Sequence, residues 1–342
     1  MRAAAILGLG SSMRDLRPFQ QESTEWVMGL PSDPANLDAI LVFGGDGTVH
    51  RHLSALVKLG LPVLVVPAGS GNDFARALGL LRVRDSLTAW REFVAGAQNV
   101  RVVDLGMITA IGDYAGTTLR AAHEESAEEA RLKSCLDTPS LRNDLDTIAV
   151  QRRSVLFSCA AGVGLDGEIA RRANALPRWL RAHGGYALSL PAALLQFRPF
   201  HLTMNSVTNN CADQASSEMR QSVTAAIFAN APFYGGGMKI APRANMADGA
   251  LDTCIIRDIS KLKLASVFPS VYFGRHLGIR QVEYFPIERA RVETETPLDV
   301  YADGEYVCRT PVEIGVAKCA LRVIRTNRQL SSPNRASIGA VF

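Results

Sequence analysis

The sequence predicts a two-domain α/β protein, a parallel sheet covered by helices on both faces followed by a β-rich domain. Three observations predict it. Uninterrupted apolar runs alternate with helical periods up to about Asp104, and strands of that kind are buried on both faces, as in parallel sheets. Beyond Asp104 the runs shorten and are punctuated by Gly, Pro, Asn and Asp, the pattern of a β-rich domain. The chain has 342 residues, long for one core and comfortable for two.

Each element follows from its pattern. Ala3–Leu9 reads as a first buried strand; its apolar part is short for a signal peptide and lacks a cleavage pattern. Gln20–Leu30 reads as a helix with Ser23 and Glu25 on its polar face. Ala39–Phe43 and Val63–Val66 are apolar strands. Between them, Val49, Leu53, Leu56 and Val57 recur at helical spacing over Thr48–Leu59. Asp73–Leu80 and Leu87–Ala95 complete the helices of this domain. Val155–Cys159, Ala225–Ala229, Leu251–Ile256, Leu298–Tyr301 and Val312–Val316 read as strands of the second domain. The expected boundaries are 1–105, completed by 317–328, and 106–316 with a polar insertion at 112–152. The small polar tail, 329–342, is expected to be disordered.

Composition narrows the function. A net charge of +4 suits an anionic ligand or surface but is too small to argue for nucleic acid. Cys135, Cys159, Cys211, Cys254, Cys308 and Cys319 form no Cys-x-x-Cys pair, so reduced thiols in a cytoplasm are expected. The most apolar stretch, "YALSLPAALLQF", falls short of the roughly 20 residues of a spanning helix.

The segment "LVFGGDGTVHRH" raises a choice. Asp-Gly between apolar runs is a hairpin signal, but a helical period follows Gly47 where a hairpin needs a strand. Strand, glycine turn and helix in that order point backbone N–H groups at an anion. Gly44, Gly45, Asp46, Gly47 and Thr48 make this turn; Asp46 calls for a cation or ordered water beside a phosphate, and Thr48 either caps the helix or donates to a phosphate oxygen. A second turn follows in "LPVLVVPAGSGNDFARALGL", with Gly69, Ser70 and Gly71 and with Asn72 or Asp73 as cap. Two such turns at the carboxyl ends of neighbouring parallel strands suit a nucleotide polyphosphate. Neither is a P-loop or a Gly-x-Gly-x-x-Gly turn.

"GGDGT" followed by "PAGSGNDFARALG" resembles the catalytic domain shared by diacylglycerol, sphingosine and ceramide kinases, and more distantly NAD kinases and phosphofructokinases. "FSCAAGVGLDGEIARR", "FANAPFYGGGMKIAPRANMADGALD" and "YADGEYVCRTPVEIGVAKCALRVI" are similar to that family's second domain. The resemblance implies a Rossmann-like, NAD kinase/phosphofructokinase-like domain followed by a β-sandwich domain, as in the bacterial soluble branch. It implies ATP as phosphate donor, bound by residues 44–48 and 69–73, with Mg2+. It makes "ADGEY" the catalytic segment, with Glu305 favoured as base and Asp303 either metal-linked or the base itself, beside Asp46. It makes "PRANMADGAL" a structural magnesium loop with Asn245, Asp248 and Ala250 as ligands. Asp166 is either a catalytic neighbour or a loop acid.

The implied reaction is phosphorylation of a lipid hydroxyl, most simply that of diacylglycerol, by a cytoplasmic enzyme working at the inner membrane surface; a homodimer is compatible with this. Arg171, Arg172, Arg178 and Arg181 beside Trp179 suit an anionic membrane, or equally a core helix with a solvated basic end. The alternatives are an NAD kinase-like kinase of a soluble acceptor and a non-catalytic nucleotide- or lipid-binding protein.

Overall fold

The computed structural model describes residues 1–20, 24–111, 154–176, 185–210 and 213–326. The expectations for 112–152, for 329–342 and for Arg178, Trp179 and Arg181 lie outside the described residues. The chain divides into two units, Met1–Val103 with the segment from Cys319, and Asp104–Lys318.

The first unit is built on parallel strands. β1 (Arg2–Leu7) pairs with β2 (Glu25–Met28) and with β3 (Ala39–Gly44), and β3 pairs with β4 (Val63–Pro67). The end of the last strand, Val312–Ile324, joins β4 in parallel through Val323 and Val63. All six residues of β3 are buried, which is what an apolar central strand covered on both faces requires. Around the sheet lie α1 (Met13–Leu16), α2 (Asp46–Leu59), α3 (Asp73–Ala77) and α4 (Val83–Val94). Trp90 on α4 is fully buried; its indole N–H donates to Phe19 O at 2.9 Å, so the largest side chain of this core leaves no polar atom unpaired.

Several elements run longer than expected, such as the helix Leu87–Ala95, which begins at Val83, and two further differences have a local cause. The predicted helix Gln20–Leu30 is replaced over Glu25–Met28 by strand β2. Trp26 and Val27 favour a pleated surface, and Trp26 packs against Trp90 with ring centroids 5.7 Å apart; tertiary packing overrides the weak helical period. The helix from Asp73 stops at Ala77 rather than Leu80. Gly79 adopts φ +78°, Leu80 N–H donates to Ala75 O at 2.8 Å and Gly79 N–H to Arg76 O at 2.9 Å, the bonds of a Schellman stop.

The second unit is antiparallel. It contains β5 (Val100–Ala110, from Asp104 on), β6 (Ser154–Phe157), β7 (Ala160–Gly164), α5 (Leu165–Ala175) and α6 (Gly185–Gln196). β8 (Phe200–Asn210), β9 (Asp213–Ala229), β10 (Leu251–Arg257), α7 (Lys261–Val267) and β11 (Val282–Ile287) follow. β12 (Arg289–Thr294), β13 (Asp299–Ala302), β14 (Glu305–Arg309) and the start of β15 (Val312–Ile324) complete it. β9 pairs with β7, β8 and β10, all antiparallel. Its alternation sorts two cores: Ala226 and Phe228 face one cluster, Ala225, Ile227 and Ala229 the other. The sandwich therefore has both faces of its central strand buried. Among the described residues no helix is long and apolar enough to cross a membrane.

Because β3 is central and fully buried, Leu41→Ala should destabilise the first unit by about 2–5 kcal/mol. Urea unfolding followed by tryptophan fluorescence checks this, and a midpoint like that of the unsubstituted protein would contradict the assignment.

Candidate active site

The two glycine turns of the first unit touch each other. Asp46 N–H donates to Gly71 O at 3.0 Å, and Ala68 N–H to Gly44 O at 3.3 Å. A Cβ on Gly69 would run into the backbone of Gly45, and one on Gly45 would lie 3.0 Å from Gly69 Cα and collide with Gly71 O. Glycine is required at both positions so that the two corners can approach.

Asp46 then locks them. Its carboxylate accepts from Asp73 N–H at 2.9 Å and from Phe74 N–H at 3.0 Å, capping the start of α3 from the other turn. This revises the expectation that Asn72 or Asp73 caps that helix. Asn72 is the N-cap by position but makes no side-chain cap; its amide exchanges two hydrogen bonds with Gly69, at 2.7 and 3.1 Å. Thr48 does not cap α2 either: the cap position is Gly45, and Thr48 sits in the first turn, packed so closely against Gly8 and Gly44 that a Cβ at either would overlap it. Asp73 is buried and ion-paired with Arg76. Within the described residues the N–H groups of Ser70, Gly71 and Asn72 have no acceptor. Three successive donors on a glycine turn form an anion-binding concavity.

In the second unit, β13 and β14 form a hairpin around the "ADGEY" segment. Asp303 has φ +50° and Gly304 φ +87°, the left-handed pair that an Asp-Gly hairpin turn requires. The Asp303 carboxylate accepts from Ser158 N–H at 2.7 Å, Ser158 Oγ at 3.0 Å, Cys159 N–H at 2.8 Å and Ala160 N–H at 3.3 Å. It anchors the hairpin to the start of β7. Glu305, at the head of β14, is exposed. The two carboxylates thus occupy different environments, one saturated with donors and one open.

The loop before β10 carries Asn245, Asp248 and Ala250. Asp104, buried on β5, accepts from Gly249 N–H at 2.8 Å and donates its own N–H to Met246 O at 2.6 Å. Asn230 ties the same place to Ser158: its side-chain amide donates to Asp104 O and Ser158 O, both at 2.9 Å. Asp248 is exposed. One carboxylate and neighbouring backbone carbonyls are hard oxygen donors of the kind Mg2+ accepts while keeping several waters. Among the described residues no three His, Cys, Asp or Glu side chains gather as a metal cluster.

A cavity of about 60 Å³ opens within the second unit, lined almost wholly by apolar side chains from α5, α6, β9, β10, α7 and the 3-10 turns after it. Asp166 on α5 reaches its wall and accepts from the Tyr234 hydroxyl at 3.3 Å. Gly162 makes room for that carboxylate, since a Cβ there would overlap it. Arg171 and Arg172, which the sequence leaves open between a membrane-facing patch and a solvated basic helix end, both pair with Glu168, at 2.7 and 2.6 Å. The hydrogen bond from Arg171 holds the Glu168 carboxyl below its ordinary pKa. Burial pushes the Cys254 and Cys308 thiols up to about 12, so neither is a nucleophile.

Asp104 and His276 were not found from the sequence, although Asp104 sits where the composition changes; Ser158, Asn230 and Tyr234 lie in the segments that resemble the family's second domain, Asn230 opening its Asn-x-x-x-x-Gly-Gly-Gly run, but no role was read for them.

Comparison with known proteins agrees with this architecture. Residues 19–108 match the diacylglycerol kinase catalytic domain, and residues 159–325 match the YegS C-terminal NAD kinase beta sandwich-like domain. The chain belongs to the diacylglycerol kinase catalytic-domain family. Its relatives include a diacylglycerol kinase of Mycobacterium tuberculosis (strain H37Rv), 29% identical over 296 residues that cover 84% of this chain and 77% of the other. Another is a diacylglycerol kinase of Bacillus subtilis, 23% identical over 81% of this chain and 74% of its own length. A crystal structure of a diacylglycerol kinase from Bacillus anthracis (strain Sterne) shares the fold, with TM-score 0.58 and 15% identity over 96% of this chain and 97% of that one.

The geometry separates anchors from the open carboxylate. Asp46→Asn and Asp303→Asn should each lower stability by about 1–3 kcal/mol, because an amide nitrogen then faces a backbone N–H. Glu305→Gln should stay within about 0.5 kcal/mol. Equal effects of all three in denaturant unfolding would contradict the distinction.

Proposed function

We propose that the chain is an ATP-dependent lipid kinase that transfers the γ-phosphoryl group to a lipid hydroxyl, with diacylglycerol converted to phosphatidic acid as the first candidate. The observation that carries the lipid reading is the apolar cavity of the second unit. A soluble, polar acceptor has no use for such a lining, whereas each acyl methylene buried there contributes about 0.8 kcal/mol. The names of the relatives, diacylglycerol kinases among them, support the same acceptor.

Phosphoryl transfer needs a held polyphosphate, charge compensation and a base. Gly44, Gly45, Asp46, Gly47 and Thr48 with Gly69, Ser70, Gly71, Asn72 and Asp73 are the proposed nucleotide-binding residues. The N–H groups of Ser70, Gly71 and Asn72 are the donors for phosphate oxygens, and Asp46 holds the turns that present them. Glu305 is the proposed base: it takes the hydroxyl proton as the acceptor oxygen bonds to γ-phosphorus and the bond to the β–γ bridging oxygen breaks. Asp303, its carboxylate already accepting four donors, positions the turn rather than taking the proton. Asp248, with the backbone carbonyls of Asn245 and Ala250, would hold Mg2+, whose charge would stabilise that loop.

The acceptor lies in a bilayer, so the enzyme works at the membrane surface. In the second unit Leu262 is 86% exposed, Phe273 is 71% exposed and Leu188 is exposed, all on the elements that line the cavity. Lys261, Lys263 and Arg275 flank them in sequence. Apolar side chains among basic ones suit an anionic lipid surface.

Incubation with labelled ATP and a total lipid extract, with products identified by mass, should yield a phosphorylated lipid. Labelled NAD instead would replace this reading by a soluble-acceptor kinase, and nucleotide binding without transfer would remove the enzyme. Glu305→Gln should lower kcat by about 10²–10⁴; unchanged turnover would take Glu305 out of the mechanism. The pair Leu262→Ser and Phe273→Ser should slow phosphorylation of vesicle lipid and leave a short-chain, water-soluble acceptor unaffected. Equal loss on both acceptors would contradict the membrane role.

A further inference from the structure

The turn that carries Glu305 is held from two sides. On one side the Asp303 carboxylate anchors it to the start of β7, and Asp303 N–H donates to Ala160 O at 2.9 Å. On the other side stands α5. The side-chain amide of Asn174 donates to Gly304 O at 2.7 Å. A carbonyl only accepts, so the amide nitrogen is the atom that faces it. That carbonyl belongs to the planar peptide group that leads into Glu305. Gly304 sits at φ +87°, and a residue without a Cβ does little to hold its own conformation. The bond from Asn174 fixes the plane of the peptide, and with it the direction from which the Glu305 side chain leaves the backbone.

The build of α5 brings Asn174 to this place. Gly167 and Asn174 are seven residues apart, about two helical turns, and share a face. A Cβ on Gly167 would lie 3.1 Å from Asp299 O and 3.1 Å from the Tyr301 ring, so glycine there lets α5 seat closely on β13. Asn174, further along that face, then reaches the end of the hairpin. The same helix supplies Leu165, Asp166 and Ile169 to the wall of the apolar cavity. One helix thus touches both the cavity and the turn. Asn174 and Glu305 are both exposed. Water can replace an exposed donor, so this bond adds little to global stability; what it removes is the freedom of the turn.

We infer that Asn174 is a positioning residue for the reaction: by holding the Gly304 carbonyl it fixes the turn from which Glu305 reaches the acceptor hydroxyl, and α5 ties that turn to the wall of the acceptor cavity. This rests on the proposed role of Glu305 as base. Asn174 touches neither nucleotide nor acceptor, so it acts on the rate of transfer and not on binding.

The test is a double-mutant cycle of Asn174→Ala and Glu305→Gln in the full chain, with steady-state phosphorylation of a lipid acceptor as one readout and 15N relaxation of the backbone as the other. A misplacement of ~1 Å can cost about 10²-fold in rate. A loosened turn that still visits the productive position should lower kcat by about tenfold, with KM for ATP and for the acceptor within about twofold. In the Glu305→Gln background Asn174→Ala should cost nothing further, because it acts through the group already removed. The order parameter of the Glu305 amide should fall from about 0.85 to below about 0.6 in Asn174→Ala, while the amides of α5 stay rigid. An unchanged kcat, a change confined to KM, the same fold loss in both backgrounds, or a Glu305 amide that stays rigid would each overturn the proposal. Activity lost in Glu305→Gln but kept in Asn174→Ala sinks this inference and leaves the base. Activity kept in Glu305→Gln removes the base, and the role of Asn174 with it.

Discussion

The structure of the first unit depends on one carboxylate. Asp46 leaves the first glycine turn, crosses to the second and accepts the first two N–H groups of α3. Those N–H groups have no intrahelical partner in any helix, and α3, with five residues, is too short to persist unaided. The same bond fixes the spacing of the two turns, which only glycine at 45 and 69 permits. With its own lone pairs engaged, Asp46 becomes part of the cradle, and the donors of Ser70, Gly71 and Asn72 remain for an anion.

The second unit repeats the device. Asp303 gathers four donors from Ser158 to Ala160 and so pins a strained-looking but glycine-assisted turn to β7. Asp104 does the same for the turn at Gly249, and Asn230 links Asp104 to Ser158. Aspartates within Asp-Gly turns are thus not equivalent to one another in role. One caps a helix, one clamps a hairpin, and Glu305, two residues on, stays exposed. Charge-assisted hydrogen bonds to backbone N–H groups are about twice as strong as neutral ones, which is why short carboxylates can govern such turns.

Much of this was legible in the sequence. The apolar runs at Ala39–Phe43 and Val63–Val66 announced central parallel strands because nothing polar interrupts them. The helical period after Gly47 excluded a hairpin there. What was not legible depends on contacts between distant segments. Trp26 turns Glu25–Met28 into a strand by packing on Trp90, more than sixty residues away. The cap of α3 comes from Asp46, twenty-seven residues upstream of Asp73. His276 stands in a stretch without a motif, and its meaning comes from burial and from Ile240, which no spacing rule connects to it.

The role of Asp46 can be measured where it acts. Native-state hydrogen exchange resolved by residue should show the Asp73 and Phe74 amides protected in the unsubstituted protein. In Asp46→Ala both should exchange rapidly while the interior amides of α2 remain protected. Protection of Asp73 and Phe74 that survives the substitution would show that the two turns are held by something other than this carboxylate.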